Sequence, residues 1–189
     1  MKHELWRRRL AGCAALFACL LAAAASAGQE DPSSLSSPNA APDALSLDRL
    51  TRMSWPELEQ MYRAADAGGI PSGYLAGKAS YCPGSRLGGV RSKVTGAVWR
   101  GKVFDDSGCT LINQWWGFQA IRANVYSGPS WLDGKPSIVF DYSSTSLVWV
   151  DVRDEVREVA PGLYLGRMYR RKANGPEFQC FFALEAAAR

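Results

Sequence analysis

From Ile70 onward the chain is cut into short runs bounded by Gly, Pro, Asp and Ser, and no gap between runs has room for a helix. This punctuation limits the fold more than any other feature. The runs predict strands near 73–81, 93–104, 109–114, 118–127, 137–142, 147–159, 163–171 and 177–185. "FDDSG" (104–108), "LDGKP" (132–136) and "APGLY" (160–164) read as tight turns, with Asp133-Gly134 the clearest hairpin signal. A doubly wound α/β fold needs helices between its strands. Eight short antiparallel strands instead close on themselves, which removes exposed edges. The expected fold class is mainly β, an antiparallel β-barrel.

One or two helices precede the strands. "DALSLDRLTRM" supports a turn or two of helix. In "SWPELEQMYRAADAGG", Ser54 and Glu57 have capping-box spacing, and Pro56 lies in the first turn, where its missing N–H costs nothing. Trp55, Leu58, Met61, Tyr62 and Ala65 recur at spacings of three and four, marking one apolar face.

Residues 1–27 read as a signal peptide. Lys2, Arg7, Arg8 and Arg9 precede the apolar run Leu10–Leu21, and Ala25-Ser26-Ala27 forms an A-x-A cleavage site. The protein is therefore expected outside the cytoplasm, in the periplasm or the medium, with no integral membrane span in the mature chain. Residues 28–42, rich in Ser, Pro and Ala, read as a disordered linker, and 43–189 as one helix-plus-barrel domain.

Removing the signal leaves 18 bases against 17 acids, a net charge of +1. No electrostatic case for nucleic acid survives. The only histidine, His3, leaves too. A mature chain without histidine runs no Ser-His-Asp or Cys-His site and holds no His-ligated metal. Carboxylate, lysine and tyrosine chemistry stay open. No cofactor is expected. Cys82 and Cys109 both border turns and are candidates for a disulfide, the alternative being three free thiols. Cys180, in "FQCFFAL", reads as a buried small hydrophobe.

"RDEVREV" places five charged residues among seven within a strand. Val148, Val150, Val152, Asp154, Val156 and Glu158 share one parity. Trp149, Asp151, Arg153, Glu155, Arg157 and Val159 share the other, which reads as a solvated face. Asp154 breaks the apolar parity, as Arg167 breaks the stripe Leu163, Leu165, Arg167, Tyr169. A two-residue loop at Ala160-Pro161 sets Asp154 opposite Arg167 and predicts an internal ion pair. On "SIVFDY", Phe140 facing the core would turn Asp141 to solvent. On the Trp99 strand, Ala97, Trp99, Gly101 and Val103 share one face, and Val98, Arg100, Lys102 and Phe104 the other. In "QWWGF" only one of Trp115 and Trp116 points inward, and the other is either covered by the N-terminal helix, the favoured reading, or exposed. Trp131, beside the hairpin, is either a pocket lip or turn packing.

Three segments resemble the lipocalin-like GXWXG proteins and the domain of unknown function that follows that motif. They are "GIPSGYLAGKAS", the W-x-G-K-x-F of Trp99 to Phe104, and the closing runs "LDGKPSIVFDY", "YLGRMYRR" and "PEFQCFFALE". Ala97 stands where that family's first Gly would be. The resemblance implies a lipocalin-like barrel that holds at most a small apolar ligand.

The expected role is non-catalytic binding of a small apolar or amphipathic molecule, with Trp99, Tyr142, Asp154, Tyr164 and Arg167 as wall and polar anchors. The alternatives are a histidine-free enzyme that pairs carboxylates such as Asp141 and Asp154, or an envelope interaction module using exposed Trp116 or Trp131.

Overall fold

The computed structural model describes residues 45–79 and 98–187. The expected signal peptide, linker and Cys82 lie outside these residues, as do 80–81 and 93–97 of the first two expected strands. Helices α1 (Leu47–Arg52) and α2 (Trp55–Ala64) precede eight strands: β1 (Gly73–Ala79), β2 (Trp99–Phe104), β3 (Thr110–Trp115), β4 (Phe118–Pro129), β5 (Pro136–Asp141), β6 (Val152–Ala160), β7 (Leu163–Lys172) and β8 (Gly175–Ala186). Each strand pairs with the next in sequence, and β1 pairs with β8, which closes a lipocalin-like antiparallel barrel. Neither helix is long and apolar enough to cross a membrane.

Closure divides every strand into an inner and an outer face. Leu75, Phe104, Leu111, Val125, Phe140, Val152, Val156, Phe182 and Leu184 fill the interior. A second core lies outside the wall, where Leu47, Leu50, Leu58 and Tyr62 pack on Leu163, Leu165, Phe181 and Ala183. The helices fit this outer face because their stripes are apolar and their ends are capped. Arg49 N–H donates to Ser46 Oγ, and Glu57 accepts from both the N–H and the hydroxyl of Ser54.

Four register shifts among the described strands set which side chains face inward. One lies between Trp99 and Gly101, one at Ile112/Asn113, one between Glu158 and Ala160, and one at Met168/Tyr169 between β7 and β8. The first turns Trp99, Lys102 and Phe104 all into the barrel, where strict alternation separates Trp99 from the other two. It requires Gly101, whose φ is 139° and where any Cβ would collide with the Leu75 carbonyl. The segment 147–151, expected to extend β6, is turn and bend instead. β5 and β6 pair only as far as Asp141 and Arg153, and Trp149 folds back onto the Tyr142 ring at 5.2 Å.

Candidate functional site

Among the described residues, the barrel interior holds one polar cluster, toward the end where Trp99 and Tyr142 sit. Lys102 Nζ donates to Asn113 Oδ1 at 2.9 Å, Tyr142 Oη at 2.6 Å and Asp154 Oδ2 at 3.1 Å. Tyr142 donates to Asp154 Oδ2 at 3.1 Å and accepts from Asn113 Nδ2 at 3.2 Å. Asn113 Oδ1 also accepts from Trp99 Nε1, and its Nδ2 donates to the Ile121 carbonyl at 2.8 Å. The three ammonium protons and the Tyr142 hydroxyl are thus each assigned a partner. Ile121 is held at φ 67°, an unfavourable region for a β-branched residue, costing about 1–3 kcal/mol. The bulge there opens the strand ladder and aims that carbonyl at Asn113.

Four rings enclose the ammonium. Trp99, Phe140, Tyr142 and Phe182 have centroids 5.3–5.5 Å from Lys102 Nζ. Burial lowers the pKa of Lys102, and Asp154 opposes that shift. Burial likewise raises Asp154, opposed by Lys102, and it raises Tyr142 well above the usual phenol range. Burial therefore pushes the pair toward neutral amine and neutral acid.

Above this cluster lies an aromatic layer. Trp115, the cross-strand partner of Trp99, meets Trp149 at 6.1 Å and Phe118 at 6.4 Å. Trp115 is 8% exposed, and its indole N–H is buried without an acceptor among the described residues. Trp149 lies on the 143–151 loop, beside Leu147 (91% exposed), Val148 and Val150. Trp116, across this end of the barrel, is 60% exposed. The helices cover β7 and β8 instead of β3, so the expected helix packing over the outward Trp is replaced by exposure.

The outer face of β6 corrects the expected solvated face. Glu155 and Arg157 are each 0% exposed, and Arg153 is buried. The β4–β5 turn curls over them. Glu155 accepts from Ser130 Oγ and Trp131 N–H. Arg157 grips Asp133 through two bonds of 2.6 and 2.9 Å, and also donates to the Tyr62 and Pro136 carbonyls. Arg153 donates to the Pro129 carbonyl and stacks on Trp131 at 4.3 Å, so Trp131 serves turn packing.

Of the five expected ligand residues, Trp99, Tyr142 and Asp154 come together around Lys102. Tyr164 also faces inward, but at the opposite end, where its hydroxyl donates to the Gly69 carbonyl. Arg167 lies on the outer face, bonded to Tyr169 and Glu59. The expected Asp154–Arg167 pair does not form. The loop is Pro161-Gly162, and the bulge before it pairs Glu155 with Arg167 and Asp154 with Met168. A one-residue shift moves Arg167 to the other side of the sheet. Asp141 faces outward, paired with Arg171, so it does not converge with Asp154.

Sequence reasoning missed Lys102 and Asn113. Lys102 shares the parity of Phe104, and a lysine in an apolar stripe is the same signal that singled out Asp154. Asn113 carries the same signal, since it interrupts the inward stripe Leu111, Asn113, Trp115, while the extra β4 residue at Ile121 supplies the carbonyl it binds. Among the described residues, no three His, Cys, Asp or Glu side chains converge on a metal site.

No protein-family model matches the chain, and no curated protein matches it. Among solved structures it is similar to a protein from Thermomonospora curvata, with 16% identity over 72% of this chain and 89% of that one, at a TM-score of 0.49.

Proposed function

We propose that this exported barrel binds a small, partly apolar molecule, without catalysis, at the end covered by Trp149. The observation that carries the reading is the Trp115 indole N–H, a buried donor inside an aromatic layer with no acceptor among the described residues. Leaving such a group unsatisfied costs about 1–3 kcal/mol, which a ligand oxygen would recover. The apolar residues at the rim, Leu147, Val148, Val150 and Trp116, suit the entry of an apolar body. Trp149 lies edge-on against Tyr142 at 5.2 Å, so entry to the cluster from this end requires Trp149 to swing away. Two shallow depressions lie elsewhere, one between α2 and β8 and one beside the Pro161-Gly162 turn, and neither reaches the cluster. The reading agrees with the resemblance to lipocalin-like GXWXG proteins.

Native mass spectrometry of protein from its own host tests the proposal. A co-purifying small molecule, bound about tenfold more weakly by Trp115→Phe, is expected from loss of one donor. Bare protein whose tryptophan fluorescence does not respond to medium-chain alcohols and acids would end it.

A further inference from the structure

We infer that Lys102 captures an apolar aldehyde as a protonated Schiff base inside the barrel. The inference rests on the binding reading above and names its ligand class. Three features of the cluster carry it.

The first is the cage. Four aromatic rings surround Nζ, and such a cage holds an iminium as well as an ammonium, because both are cations on the same nitrogen. The second is the proton path. Nζ lies 3.1 Å from Asp154 Oδ2 and 2.6 Å from Tyr142 Oη, and Tyr142 is itself bonded to the same carboxylate oxygen. The amine can therefore pass a proton to Asp154 without water. The third is the entrance. The aldehyde oxygen is the kind of acceptor that Trp115 N–H lacks among the described residues, and the rim accommodates an alkyl chain.

The step balances without oxidant or reductant. Lys102 gives one proton to Asp154, and the free amine attacks the carbonyl carbon. A C–N bond forms, and Tyr142 relays a second nitrogen proton to the alkoxide, giving a carbinolamine. Asp154 then protonates the hydroxyl, which leaves as water. The product is R–CH=NH⁺–Lys102 beside the Asp154 carboxylate. Counted from the ammonium–carboxylate form, one cation and one anion stand before and after, so the net charge of the barrel interior does not change. Burial of both partners favours the neutral amine that begins the sequence.

The test uses nonanal with sodium cyanoborohydride near pH 7, intact mass, and peptide mapping. One alkyl adduct is expected at Lys102, at about tenfold or more the occupancy at exposed Lys78, Lys135 or Lys172, which have no aromatic cage or adjacent proton relay of this kind. 1-Nonanol, which has no carbonyl, tests binding alone through tryptophan fluorescence. Nonanol binding with adducts only on exposed lysines would overturn the Schiff-base inference and leave the binding reading standing. Loss of both responses would remove the two together. Lys102→Arg keeps the cation and is expected to retain nonanol binding while losing the adduct. An undiminished adduct in that variant would also overturn the inference. Should it misfold, Tyr142→Phe keeps the amine and cage while removing the relay. It is expected to slow capture about tenfold, and an unchanged rate would count against the mechanism.

Discussion

Replacing Arg157 with Met separates a buried anchor from a solvated charge. The substitution roughly preserves side-chain volume, so little cavity forms. It removes two bonds to Asp133 and the bonds to the Tyr62 and Pro136 carbonyls. Asp133 is left largely buried beside β6 with its charge partner gone. Breaking a buried pair on one side costs about 3–5 kcal/mol. For a domain of this size each kcal/mol lowers Tm by roughly 2–4 °C, so a fall of about 6–20 °C is expected. Urea unfolding with an unchanged slope gives the free-energy loss directly. Adding Asp133→Asn removes the stranded charge and is expected to return about 1 kcal/mol or more, a coupling typical of residues in one network. Because the Tyr62 carbonyl lies in the last turn of α2, hydrogen exchange in that helix should rise in step. A loss below about 1 kcal/mol, the range for exposed positions, would refute the buried-anchor reasoning.

Two further predictions concern the charged pairs. Lys102→Met alone strands Asp154 in the barrel and is expected to cost about 3–5 kcal/mol in urea unfolding, whereas Lys102→Met with Asp154→Leu should be neutral or stabilising, as found when buried pairs become apolar. A double variant as unstable as the single would contradict that. With pH, Asp133 and Asp154 act oppositely. Hydrogen bonding from Arg157 holds the Asp133 carboxyl below its usual range, so its contribution is present above about pH 4 and lost as pH falls through the lowered value. Burial raises Asp154, so its contribution is present below about pH 4 and lost as pH rises through the raised value. The stability gap between wild type and Asp133→Asn should therefore close in acid, and a gap that widens there would show the sign to be wrong.

Much of this molecule is legible without coordinates. Eight punctuated runs specify eight strands because Gly, Pro and Asp end a strand through their own backbone preferences. The capping box of α2 is local chemistry, and so is the turn at Asp133-Gly134. Alternation along β6 correctly separates Asp154 from Arg153, Glu155 and Arg157. It also marks Asp154 and Arg167 as breaks in apolar stripes.

Tertiary structure decided which side of the sheet those breaks face and what covers them. A single extra residue near Val159 turns Arg167 outward while Asp154 stays inside, and the energy of such a bulge depends on all the pairings beyond it. Arg157 is buried by a turn and by a helix 95 residues away in sequence, through the Tyr62 carbonyl. Strand periodicity reports two faces but not whether water or protein lies against each. In a closed barrel with helices on its wall, both faces of β6 are buried. The five charges of "RDEVREV" are therefore divided between an internal pair with Lys102 and an external clamp on the β4–β5 turn and α2, except Glu158, which binds the Gly162 N–H at the strand's end.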